Sequence, residues 1–140
     1  MHTTNYTDTF IAVAEDTAAL EAMPPPARVQ PSVAELTHRM IAENPYRYTS
    51  DDVIFTVWAD RRGVPADERD AQRELFFSKG QPCLRSSDLG KRYGWGVHAD
   101  AESRVALVGM DSPEYALFLA GKTPEGEAVT VTKAMRSARR

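Results

Sequence analysis

Residues 52–59 read DVIFTVWA, a run of β-branched and aromatic side chains entered through an aspartate and left through an alanine. Side chains of these types favour a pleated, half-buried surface. Alternation puts Val53, Phe55 and Val57 on one face and Ile54, Thr56 and Trp58 on the other. Both faces are largely apolar, so the stretch is expected to be a central strand with material packed on each side, or a strand at a contact between two copies. Just before it, PYRYTSDD brings Asp51 and Asp52 together, a pair that suits either metal or acid chemistry or the solvation of a strand entry.

Moving toward the amino terminus, Ser32 and Glu35 form a capping-box pattern, and Val33, Leu36, Met40 and Ile41 make one apolar stripe. A helix is expected over 32–43, with His38 on its solvent side. Residues 23–31 hold four prolines and read as a stiff surface connector, which stops a helix of at most two turns at 17–23. Residues 9–14, TFIAVA, read as a buried strand. Toward the carboxyl terminus, Pro65 and the acids Asp67, Glu68 and Asp70 open a helix over 66–79, which Gly80 closes. Strands at 96–99 and 104–108 form a hairpin around the polar turn 100–103. Ser112 and Pro113 start a helix that ends at Gly121, and 128–132, AVTVT, is a last strand. The order implies an α+β fold: one compact domain over 1–140, a mixed or largely antiparallel sheet of about five strands, and about three helices covering one side. The basic tail 133–140, with Lys133, Arg136, Arg139 and Arg140, is expected to fray.

The chain has 140 residues, a size at which roughly 70 % of the unfolded surface is buried on folding. One cysteine cannot form an internal disulfide, and the opening MHTTNYTDTF lacks the build of a signal peptide, so a cytoplasmic setting is expected. The longest apolar run is the six residues 105–110, far below the roughly 20 needed to span a membrane, so no membrane partner is expected. Residues 1–70 hold 12 acidic and 6 basic side chains and residues 71–140 hold 8 and 11, an asymmetry consistent with a face that meets anions or with two ordinary solvated faces.

Chemistry concentrates in residues 79–100, KGQPCLRSSDLGKRYGWGVHAD. A helical turn near 87–92, capped by Ser86 or Ser87, would add free amides to Arg85, Lys91 and Arg92 and make an anion cradle. Gly90, Gly94 and Gly96 follow neither the dinucleotide fingerprint nor the P-loop spacing. Tyr93 and Trp95 alternate with glycines, which suits stacking of a base as well as packing in the core. Cys83 and His98, with Asp100 to orient the imidazole, are the local nucleophile and base pair. His2, His38 and His98 are scattered and no second cysteine exists, so neither a metal site nor a cofactor is expected.

The segments NYTDTFIAVAED, PSVAEL, NPYRYTSDDVIF, KGQPCLRSSDLGKRYGWGVH and KAMRSARR together resemble a family of small microbial proteins catalogued as a domain of unknown function. That resemblance implies one compact domain and carries over no activity, cofactor or catalytic residue. The leading expectation is a non-catalytic binding domain that takes an anionic ligand, a nucleotide or nucleic acid, through the loop 85–93 and the rings of Tyr93 or Trp95. The alternatives are an enzyme built on Cys83 and His98, and a homodimer that pairs through the strand around Phe55 and Trp58.

Overall fold

The structure, a computed structural model, describes residues 1–138. The strands are β1 (Thr9–Ala12), β2 (Trp95–Ala99), β3 (Val105–Gly109) and β4 (Thr130–Lys133). The helices are α1 (Val33–Ala42), α2 (Ser50–Arg62), α3 (Arg69–Phe76), α4 (Asp88–Lys91) and α5 (Pro113–Leu119). Among the described residues the strands make one four-stranded mixed sheet in the order β3-β2-β1-β4, with β1 antiparallel to β2 and parallel to β4. The expected α+β class is observed. Among the described residues there are four strands and five helices, roughly as expected from about five and about three.

The strand expected at 52–59 is α2. Thr49 decides this: its hydroxyl accepts the Asp52 N–H at 3.1 Å while the Asp52 carboxylate accepts the Thr49 N–H at 3.0 Å, a complete capping box. Asp51 and Asp52 then lie at the positive end of the helix dipole and Arg61 and Arg62 at the negative end, and Gly63 closes the helix at φ 65°. The β-branched residues cost a few tenths of a kcal/mol each in helix propensity, far less than their burial contributes. Val53 and Val57, one turn apart, pack toward the sheet beside Ile11 and Val97, while Phe55 and Ala59 pack with Phe77.

Successive side chains of β1 and β2 divide the core. Ile11, Val97 and Ala99 face α1, α2 and Leu84, whereas Phe10 and Ala12 face Tyr115 and Phe118 of α5. Helices therefore cover both sides of the sheet, not one as expected. Gly96 is needed on the α5 side, because a Cβ there would come within 2.5 Å of the Phe10 ring.

Smaller corrections have local causes. Residues 17–23 form no helix; Met23 instead donates its N–H to Tyr93 O and accepts from Trp95 Nε1, tying the segment to the start of β2. The helix expected over 66–79 is a 3-10 turn, Ala66–Glu68, followed by α3, and Phe77 lies beyond its end, buried at 2 % exposure. Ser32 caps α1 through the Glu35 N–H, but the Glu35 carboxylate turns to the Arg28 N–H and to Arg39 and does not return to Ser32. Of the basic tail, Lys133 and Arg136 both pair with Glu15, and residues 139–140 lie outside the described residues.

Candidate functional site

α1 and α3 flank α2, and the segment 79–88 passes across them, leaving an open groove of about 840 Å³. One face of α2 supplies its floor: Ile54, Val57 and Trp58, then Arg61 one turn further along, with Arg62 at its edge. Phe76 and Leu75 line it from α3 and Val33 from α1. Leu75 and Val33 are apolar yet 65 % and 52 % exposed, so the walls offer apolar surface that nothing among the described residues covers. The rings of Trp58 and Phe76 lie 5.0 Å apart, and the Arg62 guanidinium sits 4.9 Å from the Trp58 ring, within cation–π range.

Charge in this region is sorted. Arg69 pairs with Asp60 at 2.9 Å and Arg73 with Asp52 at 2.9 Å, fixing α3 against α2. Burial pushes the Asp52 carboxyl up, but the Thr49 backbone, Arg73 and the Thr49 hydroxyl outweigh it and hold the carboxyl below its usual range. Arg61, Arg62 and Lys79, which line the groove, have no carboxylate partner among the described residues. Asp88 lines the groove from the first residue of α4.

Of the residues singled out in the sequence, Cys83 lines this groove, with Sγ 3.5 Å from the Tyr6 hydroxyl. Arg85, Lys91, Arg92, Tyr93 and Trp95 do not line it. Arg85 Nε donates to Lys133 O at 2.8 Å and the Arg85 carbonyl accepts the Met135 N–H, so this residue joins the edge of β4 to the loop. Arg92 lies over the ring of Tyr93 at 5.7 Å. Trp95 Nε1 donates to Met23 O at 2.8 Å, and its ring stands 5.1 Å from His38, which is half-buried against it and not on a solvent face; burial lowers the His38 pKa. Lys91 ends α4, the single turn expected near 87–92, and Ser87 caps that turn by accepting the Leu89 N–H.

Cys83 and His98 are not brought together. On β2, Val97 belongs to the core shared with Leu84, so His98 emerges on the opposite side of the sheet, beside Phe118. Its Nδ1 meets the Tyr46 hydroxyl at 2.8 Å, while the Asp100 carboxylate accepts the N–H groups of Glu102 and Arg104 and shapes the hairpin turn. Nor does Phe55 form a strand that could pair between copies, since it is buried inside α2. Among the described residues no cluster of three or more His, Cys, Asp or Glu side chains is arranged to hold a metal, and no helix is long and apolar enough to cross a membrane.

A family model described as "Family of unknown function (DUF6157)" matches residues 1–140. The chain belongs to this family. Neither the curated proteins nor the solved structures contain a match to it.

Sequence reasoning named Trp58 only as part of a pairing strand and did not bring it together with Arg61, Arg62, Phe76, Lys79 and Asp88, which line the groove with it. Trp58, Arg61 and Arg62 stand at i, i+3 and i+4, a spacing that puts them on one helical face and has no such meaning in a strand. The helix signal was Thr49 followed three residues later by Asp52.

Proposed function

We propose that this protein is a non-catalytic binding domain for a nucleotide, a small anion with a planar ring, and that the groove along α2 receives it. The observation that carries the reading is the meeting of Arg61, Arg62 and Lys79 with the rings of Trp58 and Phe76 in one groove of about 840 Å³. Phosphate needs cations that are not already paired with carboxylates, and a base needs an exposed aromatic or apolar face. A groove of this volume is within the range of small-molecule sites, roughly 300–1,000 Å³. Residues 85–93, the loop that carries cations in the sequence, supply the wall through Ser86, Ser87 and Asp88, while Arg85, Lys91 and Arg92 do not line the groove. The reading suits a cytoplasmic protein, where a single thiol stays reduced.

The test is a titration with purine nucleotides followed by tryptophan fluorescence, in which Trp58 reports from the groove. An Arg61→Ala/Arg62→Ala double variant should weaken binding by about tenfold or more, each lost charge-assisted contact being worth roughly 1 kcal/mol or more. An Arg85→Ala/Lys91→Ala/Arg92→Ala triple variant should leave affinity close to that of the parent chain. Wild-type affinity in the double variant overturns the reading. Polymeric nucleic acid as the true ligand would show itself by a steep fall of affinity with salt, exceeding that of a mononucleotide.

A further inference from the structure

The connector between β1 and α1 holds four prolines and is pinned at two points. Met23 donates its N–H to Tyr93 O and accepts from Trp95 Nε1. Further on, the Arg28 N–H donates to the Glu35 carboxylate at 3.1 Å. Glu35 is itself buried, so the acid that a capping box would turn back to Ser32 instead holds the far end of this loop.

Between the two anchors stand Pro24, Pro25 and Pro26. Proline fixes φ at about −65° and confines the residue before it to extended conformations. With every peptide bond among the described residues trans, the stretch from Met23 to Pro26 runs as a polyproline II helix, which repeats every third residue. Burial follows that period. Ala22 is half-buried and Pro25 buried, while Met23, Pro26 and Val29, spaced by three on another face, are exposed, Val29 fully.

The backbone here is acceptor-only. Three successive residues have no N–H, and no group among the described residues donates to the carbonyls of Pro24, Pro26 or Ala27. The Arg28 side chain is exposed and, among the described residues, pairs with no carboxylate. An apolar ridge of period three, free acceptors and one cation together define their complement. It is a groove walled by aromatic rings, whose indole N–H and phenol O–H groups donate to carbonyls, with a carboxylate placed to meet the arginine.

We propose that residues 22–29 are a docking segment for an aromatic-walled, acidic groove on another protein. A helix already fixed by prolines and by anchors at both ends loses little conformational entropy on binding. The aromatic groove of a second copy of this chain does not fit, because Arg61, Arg62 and Lys79 line it and would meet Arg28 with like charge. The proposal is independent of the nucleotide reading.

The experiment titrates the isotope-labelled whole chain with purified SH3 and WW domains, modules that carry grooves of this kind, and follows the amide NMR signals. At least one should bind and shift signals from residues 20–30. A Pro26→Ala/Arg28→Glu variant, altered only at exposed positions, should keep the parent's thermal midpoint and bind about tenfold more weakly or worse. Arg61→Ala/Arg62→Ala should bind these domains like the parent chain. Failure of every domain to bind, shifts confined to the α2 groove, or parent affinity in the Pro26→Ala/Arg28→Glu variant overturns the proposal. Sedimentation of the chain alone tests a second copy as the occupant: a dimer that Pro26→Ala/Arg28→Glu dissociates would overturn the choice of partner.

Discussion

His98 sits in the sheet at 6 % exposure, tilted against Phe118 and joined through Nδ1 to the Tyr46 hydroxyl. Burial lowers its pKa, and the carboxylates that face it, Asp100, Asp8, Glu125 and Glu127, pull the other way without prevailing. The imidazole is therefore neutral in the folded protein at neutral pH. A group whose folded pKa is depressed contributes stability that is complete above its unfolded value, about 6.5, and is lost as pH falls toward the folded value. An NMR titration of the His98 ring should give a midpoint below 6.5, and urea midpoints should decline between that pH and the folded pKa; a midpoint above 6.5 would contradict this. Tyr46→Phe leaves Nδ1 without its partner and should cost about 1–3 kcal/mol. Single residues of this kind were hard to interpret from the chain. Cys83 and His98 are close in sequence, but one step of strand alternation sends the histidine to the far side of the sheet.

At the scale of elements, α2 carries the main correction and explains it. Along the helix Val53, Phe55, Val57 and Ala59 are buried and the residues between them half-buried, so burial alternates with period two just as a strand would have it. The cause is a helix packed on opposite sides, by the sheet and α1 on one and by α3 on the other, which leaves no polar face to reveal the 3.6-residue period. Only the ends of the segment distinguished the two forms. Thr49→Ala, which removes the cap, should destabilise the protein by about 1 kcal/mol, whereas Thr56→Ala at the helix middle should be near neutral or slightly stabilising because alanine is the better helix former. Urea denaturation of the two variants measures this; equal losses would mean that the cap is not what holds α2. Elements with one apolar face or strong caps were legible: α1, α5, the β2–β3 hairpin and the α4 turn all lie where their patterns put them. The groove was not, because its floor depends on reading Trp58, Arg61 and Arg62 as neighbours on a helix.

For the molecule as a whole, charge counted along the chain does not show where the groove's cations gather. Arg61 and Arg62 belong to the acidic first half of the sequence, and it is the fold that gathers them with Lys79. The same folding ties the two ends of the chain to the centre. The first residues lie against α2 through Thr4 and Asp51, and the last described ones lie against β1 and the loop 85–90. Thr130, the first residue of β4, donates its N–H to Asp8 O, and just past the end of the strand Ala134 donates to Ala12 O and Met135 to Arg85 O. Ala134 is buried at 4 % exposure against Gly90, where any Cβ would come within 2.8 Å of its own. The Ser137 and Ala138 N–H groups donate to the Asp16 carboxylate and lower its pKa, and Arg136 pairs with Glu15. Surface ion pairs of this kind contribute little, about 0–1 kcal/mol, so the buried alanine and the backbone hydrogen bonds should dominate. Removing residues 134–140 should therefore lower the unfolding free energy by about 2–4 kcal/mol, summing several hydrogen bonds and one small apolar contact. Glu15→Ala should change it far less than the truncation does, and high salt should leave most of the tail's contribution in place. A truncated chain as stable as the parent would return the tail to the role of a frayed, solubilising end.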